Sequence, residues 1–118
     1  MKTTDAIGPA LDWLVAKCEG RTPVAIRSVL SGKLTIRFMR NVGLGPDVFS
    51  PSTDWAQGGP IVEREKIGVW WTGEWHAKYD GCKWKDVQDD PFSPLIAAMR
   101  CYVASKLGDE VNVPEELA

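Results

Sequence analysis

The sequence predicts an α+β fold: a single domain over residues 1–118, in which an antiparallel sheet of four to five strands is packed by two helices. Three observations carry this expectation. Leu34, Ile36 and Phe38 alternate with Thr35 and Arg37, the period of a strand buried on one face. Two β-rich aromatic runs, 69–72 and 75–79, flank Gly73-Glu74, the composition of a tight hairpin. Segments with helical periodicity stand near both ends of the chain.

The elements follow in order. Pro9, whose fixed φ suits a first helical turn, opens the first helix, with Gly8 just before it and Gly20 as its stop. Leu11, Leu14, Val15 and Cys18 form one face of that helix. Trp13 lies off the stripe, placed either to cover a neighbouring strand or to reach a ligand. Strands 24–27 and 34–38 are separated by Ser31-Gly32-Lys33, and the glycines of 41–46 mark a loop. Trp71, Trp75 and Trp84 are expected to pave one surface, and residues 86–91, rich in aspartate, to form a loop. The last helix is expected over 94–107, capped by Ser93 and ended by Gly108. Its Leu95, Ile96, Met99, Tyr102, Val103 and Leu107 form a bulky arc suited to covering a sheet. Ala97, Ala98, Cys101, Ala104 and Ser105 form a small-residue arc open to the first helix or to a second subunit. Residues 111–114 read as an extended tail, an edge strand by its proline.

Composition narrows the function classes. The net charge is −2 with no basic stripe, so duplex nucleic acid is not an expected partner. No apolar run reaches the length of a membrane span, and the N-terminus lacks a signal peptide's apolar stretch, so no membrane partner is expected. Three dispersed cysteines argue against a disulfide framework. A zinc site from these and His76 would need ligands from four unrelated places, so neither a metal nor a cofactor is expected. His76, the single histidine, lies in an aromatic strand rather than beside a glycine-flanked nucleophile. The glycines of 43–46 and 58–60 match neither a P-loop nor a dinucleotide fingerprint, and no catalytic residues are assigned.

The richest stretch is 49–64, FSPSTDWAQGGPIVER, read as an ordered loop with a Gly58-Gly59-Pro60 turn. It gathers Ser52, Thr53, Asp54 and Gln57 as hydrogen-bonding groups beside Trp55, a flat stacking face. Backbone N–H groups at Gly58 and Gly59 can approach an anion closely because no Cβ intervenes, and Arg64 can balance a phosphate. The alternative is a structural loop, with Trp55 as a buried plug and Arg64 paired to Glu63 or Glu65. Arg100, at the edge of the last helix's bulky arc, needs either an internal carboxylate or an anionic ligand. Six tryptophans, more than one small core requires, favour ligand binding.

DWAQGGPIVERE in the middle, LDWLVAK near the start and SPLIAAMRCYVASKLGDEVNVPEEL at the end resemble the NinX-like family of small proteins from lambdoid phages and prophages. The resemblance spans nearly the whole chain and departs most around GVWWTGEWHAKYDGCKWKD and at Pro9. It implies a phage origin and a cytoplasmic setting in the infected host; it implies no particular reaction. Together with the 49–64 stretch it points to an accessory protein that sequesters a small anionic, nucleotide-like ligand, a host defence signal, without catalysis. The small-residue arc suggests a homodimer or higher homo-oligomer. The alternatives are a protein–protein adaptor or inhibitor using exposed tryptophans, and a small enzyme acting on nucleotides.

Overall fold

The computed structural model describes residues 1–38, 48–79 and 88–118, and among these the chain forms three α-helices and two small antiparallel sheets. Helix α1 (Gly8–Cys18) carries Pro9 in its first turn and buries Ala10, Leu11, Leu14, Val15 and Ala16. It ends as its sequence predicts. Gly20 takes φ +73°, so that the Arg21 N–H reaches the Ala16 carbonyl (3.1 Å) and the Gly20 N–H the Lys17 carbonyl (3.0 Å). That pair of bonds meets carbonyls the helix itself leaves unpaired.

Strands β1 (Pro23–Arg27) and β2 (Leu34–Phe38) form a hairpin with register Pro23↔Phe38 to Arg27↔Leu34. Ile36 and Phe38 are buried, as the alternation predicts. Helix α2 (Trp55–Glu65) follows, then β3 (Ile67–Trp71), β4 (Trp75–Tyr79) and β5 (Gln88–Asp90), which form the second sheet in the order β3-β4-β5. Helix α3 (Pro94–Leu107) has the expected bounds; the Ser93 hydroxyl accepts from the Ile96 N–H at 3.2 Å, and Gly108 closes the helix. It is buried on most of its circumference and packs against α1, α2 and the second sheet.

Several expectations are corrected. The strands do not make one sheet of four or five members: β1-β2 and β3-β4-β5 are separate. Helix α2 stands between them in the chain, and the two sheets line different helices, α1 over the first and α3 over the second. The aspartate-rich loop expected over 86–91 contains β5 at Gln88–Asp90. There Asp89 faces His76 across the ladder and Asp90 turns inward to Arg100, so side-chain pairing outweighs the poor strand propensity of aspartate. The extended tail is not an edge strand. It pairs with the N-terminus through the isolated bridge Lys2↔Glu110, with the Val111 N–H to the Met1 carbonyl at 2.9 Å and the Met1 ammonium to the Val111 carbonyl at 3.2 Å, and a 3-10 turn at Glu115–Leu117 follows. Ala97, Ala98 and Cys101 lie in the same core cluster as Leu11, Leu14 and Val15, so that part of the small-residue arc is filled from within the chain. Trp71 and Trp75 share one face in an edge-on contact at 5.3 Å. Trp84, Cys82 and the loop expected at 41–46 lie outside the described residues.

Candidate functional site

The stretch expected to be a loop is a helix with an elaborate start. Asp54 is its N-cap, accepting from the Ala56 N–H at 2.9 Å. Gln57, three residues on, binds the incoming chain: its Nε2 donates to the Val48 carbonyl (3.0 Å) and to Asp54 Oδ2 (3.1 Å), and its Oε1 accepts from the Ser50 N–H (3.0 Å). Residues 48–57 are thereby locked together. The Gly58-Gly59-Pro60 turn is corrected: all three lie inside α2, and the Gly58 N–H is spent on the Asp54 carbonyl at 2.8 Å. Gly58 is required for another reason. A Cβ there would stand 2.3 Å from the Pro51 carbonyl oxygen and 2.6 Å from Leu95 Cδ1, so only glycine lets α2 settle against this turn and α3. Trp55, at the first helical position, is 50% exposed, which excludes the buried-plug alternative.

Beside this locked segment lies a cleft of about 260 Å³ between the start of α1 and β2. Gly8, Pro9 and Asp12 line one wall, Lys33 and Thr35 another, and Ser50 and Thr53 close it. Asp12 is buried, and its Oδ1 accepts from the Ser52 N–H at 2.9 Å, tying α1 to the 48–57 segment. Burial pushes the Asp12 carboxyl up to about 6, against the hydrogen bonds from Ser52 that favour its charged form. Ile7, at the N-cap of α1, supplies no side-chain hydrogen bond to the first turn. The cleft therefore combines the positive end of a helix, a lysine, two threonines, a serine and a buried carboxyl.

Of the ten residues expected to bind a ligand, the fold gathers Ser52, Thr53, Asp54, Trp55, Gln57, Gly58 and Gly59 around the start of α2. Within that group only Thr53 lines the cleft. Ser52 is buried behind it, Asp54 and Gln57 are committed to capping, and Gly59 lies under the Trp55 ring, with 3.9 Å from an added Cβ to that ring.

Arg64 is elsewhere and engaged. It makes a two-pronged contact with Glu19 (3.1 and 2.6 Å), another with Glu65 (2.8 Å), and donates to the Tyr102 hydroxyl at 3.2 Å. The Tyr102 hydroxyl donates in turn to Glu19 at 2.5 Å. Partial burial works to raise Glu19, but the hydrogen bonds from Arg64 and Tyr102 hold it below the usual carboxylate range. Burial first, and then the bond to Glu19, raise the Tyr102 phenol. This network fastens the ends of α1 and α2 to α3.

Arg100 has the internal ion pair: its Nε donates to the Ala6 carbonyl (2.8 Å), and its NH1 to the Asp89 carbonyl (3.0 Å) and to Asp90 Oδ1 (3.3 Å). Trp13 packs between the two core clusters, beneath Lys17 at 5.5 Å, and borders a separate groove with Leu107 and Val111.

Sequence reasoning missed Asp12 and Lys33. The signal for Asp12 was present, since a carboxylate next to the apolar stripe of α1 must find a donor once buried. The spacing Asp54-x-x-Gln57 before Ile61 and Val62 also signals a helix start, which the glycines concealed. His76 sits between two partners, Thr72 Oγ1 and Asp89 Oδ1, each at 2.5 Å.

Fold and cleft together define a small α+β protein built on one central helix, with a polar cleft at the start of its first helix. Comparison of the sequence with protein families then places it: the model described as Bacteriophage P22, NinX matches residues 2–106, and the chain belongs to that phage family. Comparison with curated proteins finds no match. No helix among the described residues is long and apolar enough to cross a membrane.

Proposed function

We propose that this NinX-family protein binds a small nucleotide-derived anion in the cleft between α1 and β2 and sequesters it unchanged, depriving the infected host of a defence signal. The observation that carries the reading is the cleft's pairing of cationic and hydrogen-bonding groups: the start of α1 and Lys33 for an anionic group, Asp12, Thr35 and Thr53 for base-edge or ribose donors and acceptors. The volume, about 260 Å³, is just below that of common ligand pockets, about 300–1,000 Å³, and suits a mononucleotide-sized group. Trp55, one residue beyond the Asp54 cap, offers an exposed ring for a base that extends past the cleft.

A thermal-shift screen against linear and cyclic nucleotides tests this. A ligand at 100 times its Kd is expected to stabilise the protein by about 2.7 kcal/mol and to be recovered intact after denaturation. Lys33→Glu and Trp55→Ala are each expected to weaken binding about tenfold or more, roughly 1.4 kcal/mol, without loss of fold. Absence of a shift with every nucleotide overturns the reading, and a chemically altered product replaces it with the enzyme alternative.

The adaptor reading keeps one observation in its favour. Phe92 is 89% exposed and Trp71 56% exposed, large apolar side chains of the kind that anchor protein interfaces. A homo-oligomer, for which the buried part of the α3 arc offers no surface, would use these groups too. Sedimentation that responds to Phe92→Ser is the outcome expected of such an assembly.

A further inference from the structure

On the outer face of the β3-β4-β5 sheet, Trp70, His76 and Asp89 stand in one row, paired across the three strands as Trp70↔His76 and His76↔Asp89. Thr72 and Glu74 come from the turn that joins β3 to β4. One donor atom each from Glu74, His76 and Asp89 lie within 4.8 Å of one another. We propose that these three side chains bind a divalent transition-metal ion of the zinc class.

The donor chemistry selects the ion. One imidazole with two carboxylates suits zinc and its first-row neighbours, whereas magnesium and calcium favour oxygen donors alone. A hydroxyl that can orient the histidine is in place as well. His76 Nδ1 faces Asp89, and Nε2 meets the Thr72 hydroxyl at 2.5 Å. A metal-bound histidine characteristically donates its other ring N–H to a fixed acceptor, which holds the ring's tautomer and direction. With Nε2–H donating to Thr72 Oγ1, the Nδ1 lone pair is left to bind the ion on the side where Asp89 stands. Ligands at about 2.0–2.2 Å from zinc require donor atoms somewhat farther apart than the His76–Asp89 contact of 2.5 Å. Rotation of the Asp89 carboxylate, whose side chain is 49% exposed, supplies that separation.

The His76 ring and the backbone of the other two ligands are held in place. The His76 ring stacks on Trp70 at 5.4 Å, and the Thr72 N–H bonds the Glu74 carbonyl at 3.0 Å. The Asp89 carbonyl is clamped from beneath by Arg100 at 3.0 Å. Three protein ligands leave a coordination position for water or for an anionic group of a ligand or partner. The site shares no residue with the cleft between α1 and β2.

Isothermal titration of the chelator-treated, reduced chain with zinc chloride, and separately with magnesium and calcium chloride, tests the proposal. One zinc per chain is expected, with no heat from the other two ions beyond dilution. His76→Ala and Glu74→Gln are each expected to weaken zinc binding tenfold or more. Glu74→Gln keeps the His76–Asp89 contact, so it reads ligation even where His76→Ala loosens the sheet. Zinc binding of unchanged affinity in Glu74→Gln and His76→Ala, as cysteine thiols elsewhere would give, overturns the proposal; so does the absence of zinc binding in the parent chain. Nucleotide binding at the cleft is scored separately, so either result stands without the other.

Discussion

Asp12 is a residue whose acid–base chemistry changes on folding. Its carboxyl rises from 3.8 to about 6 because it is buried, so between those values the folded chain holds a proton that the unfolded chain has lost. The resulting contribution to stability is present below about pH 3.8 and is lost as pH rises through about 6. Above that, the buried carboxylate costs about 1–3 kcal/mol. Asp12→Asn keeps an acceptor for the Ser52 N–H. It is expected to remove this slope and to be more stable than the parent at neutral pH, as read from urea midpoints across the acid range. Gly58 makes the opposite kind of demand. Alanine would gain about 1 kcal/mol in helix propensity, but its Cβ would meet the Pro51 carbonyl oxygen at 2.3 Å. Overpacking costs of about 1–3 kcal/mol or more should win, so Gly58→Ala is expected to destabilise by denaturant titration. The need of Asp12 for a donor is legible in the sequence, but its partner and the role of Gly58 are not, because each is defined by an atom on another segment.

Among the elements, β5 depends on a side chain from α3. Three residues, two of them aspartates, have little strand preference of their own. Arg100 holds this strand from α3 by the Asp89 carbonyl and the Asp90 carboxylate, and Asp90 also accepts from the Phe92 and Ser93 N–H groups at the start of that helix. Arg100→Leu would leave the buried Asp90 carboxylate without its cation, and a loss of about 3–5 kcal/mol is expected from equilibrium unfolding. Arg64, 51% exposed, is held chiefly at the surface and should matter less. The two arginines look alike as candidates in the sequence. Burial separates them.

For the whole molecule, the question is whether two separate sheets unfold as one unit. Trp13, Phe49 and Val113 pack against both core clusters, so the sheets are joined through α1 and the segments beside it. Circular dichroism and tryptophan fluorescence are therefore expected to report one coincident transition. Trp13→Ala should lower stability by somewhat less than the about 3–5 kcal/mol of a fully buried tryptophan and pull the two transitions apart. A single coincident transition retained in Trp13→Ala would show that the link runs through other contacts.

What the sequence determined by itself is whatever depends on near neighbours. The bounds of α3 follow from Ser93, Pro94 and Gly108, the end of α1 from Gly20, and β2 and the β3–β4 hairpin from alternation and a turn. Tertiary structure decided the rest. Taken locally, two glycines and a proline argue against a helix over Trp55–Glu65, at about 1 kcal/mol for each glycine and about 3 for the proline. The helix forms because Gln57 and Asp54 lock its start and Gly58 admits Pro51 and Leu95 to close contact. The same holds for the cleft around Asp12, for the engagement of Arg64 and Arg100, and for the meeting of Glu74, His76 and Asp89. Each depends on groups far apart along the chain, and a side chain's partners across such distances are chosen by packing, not by local pattern.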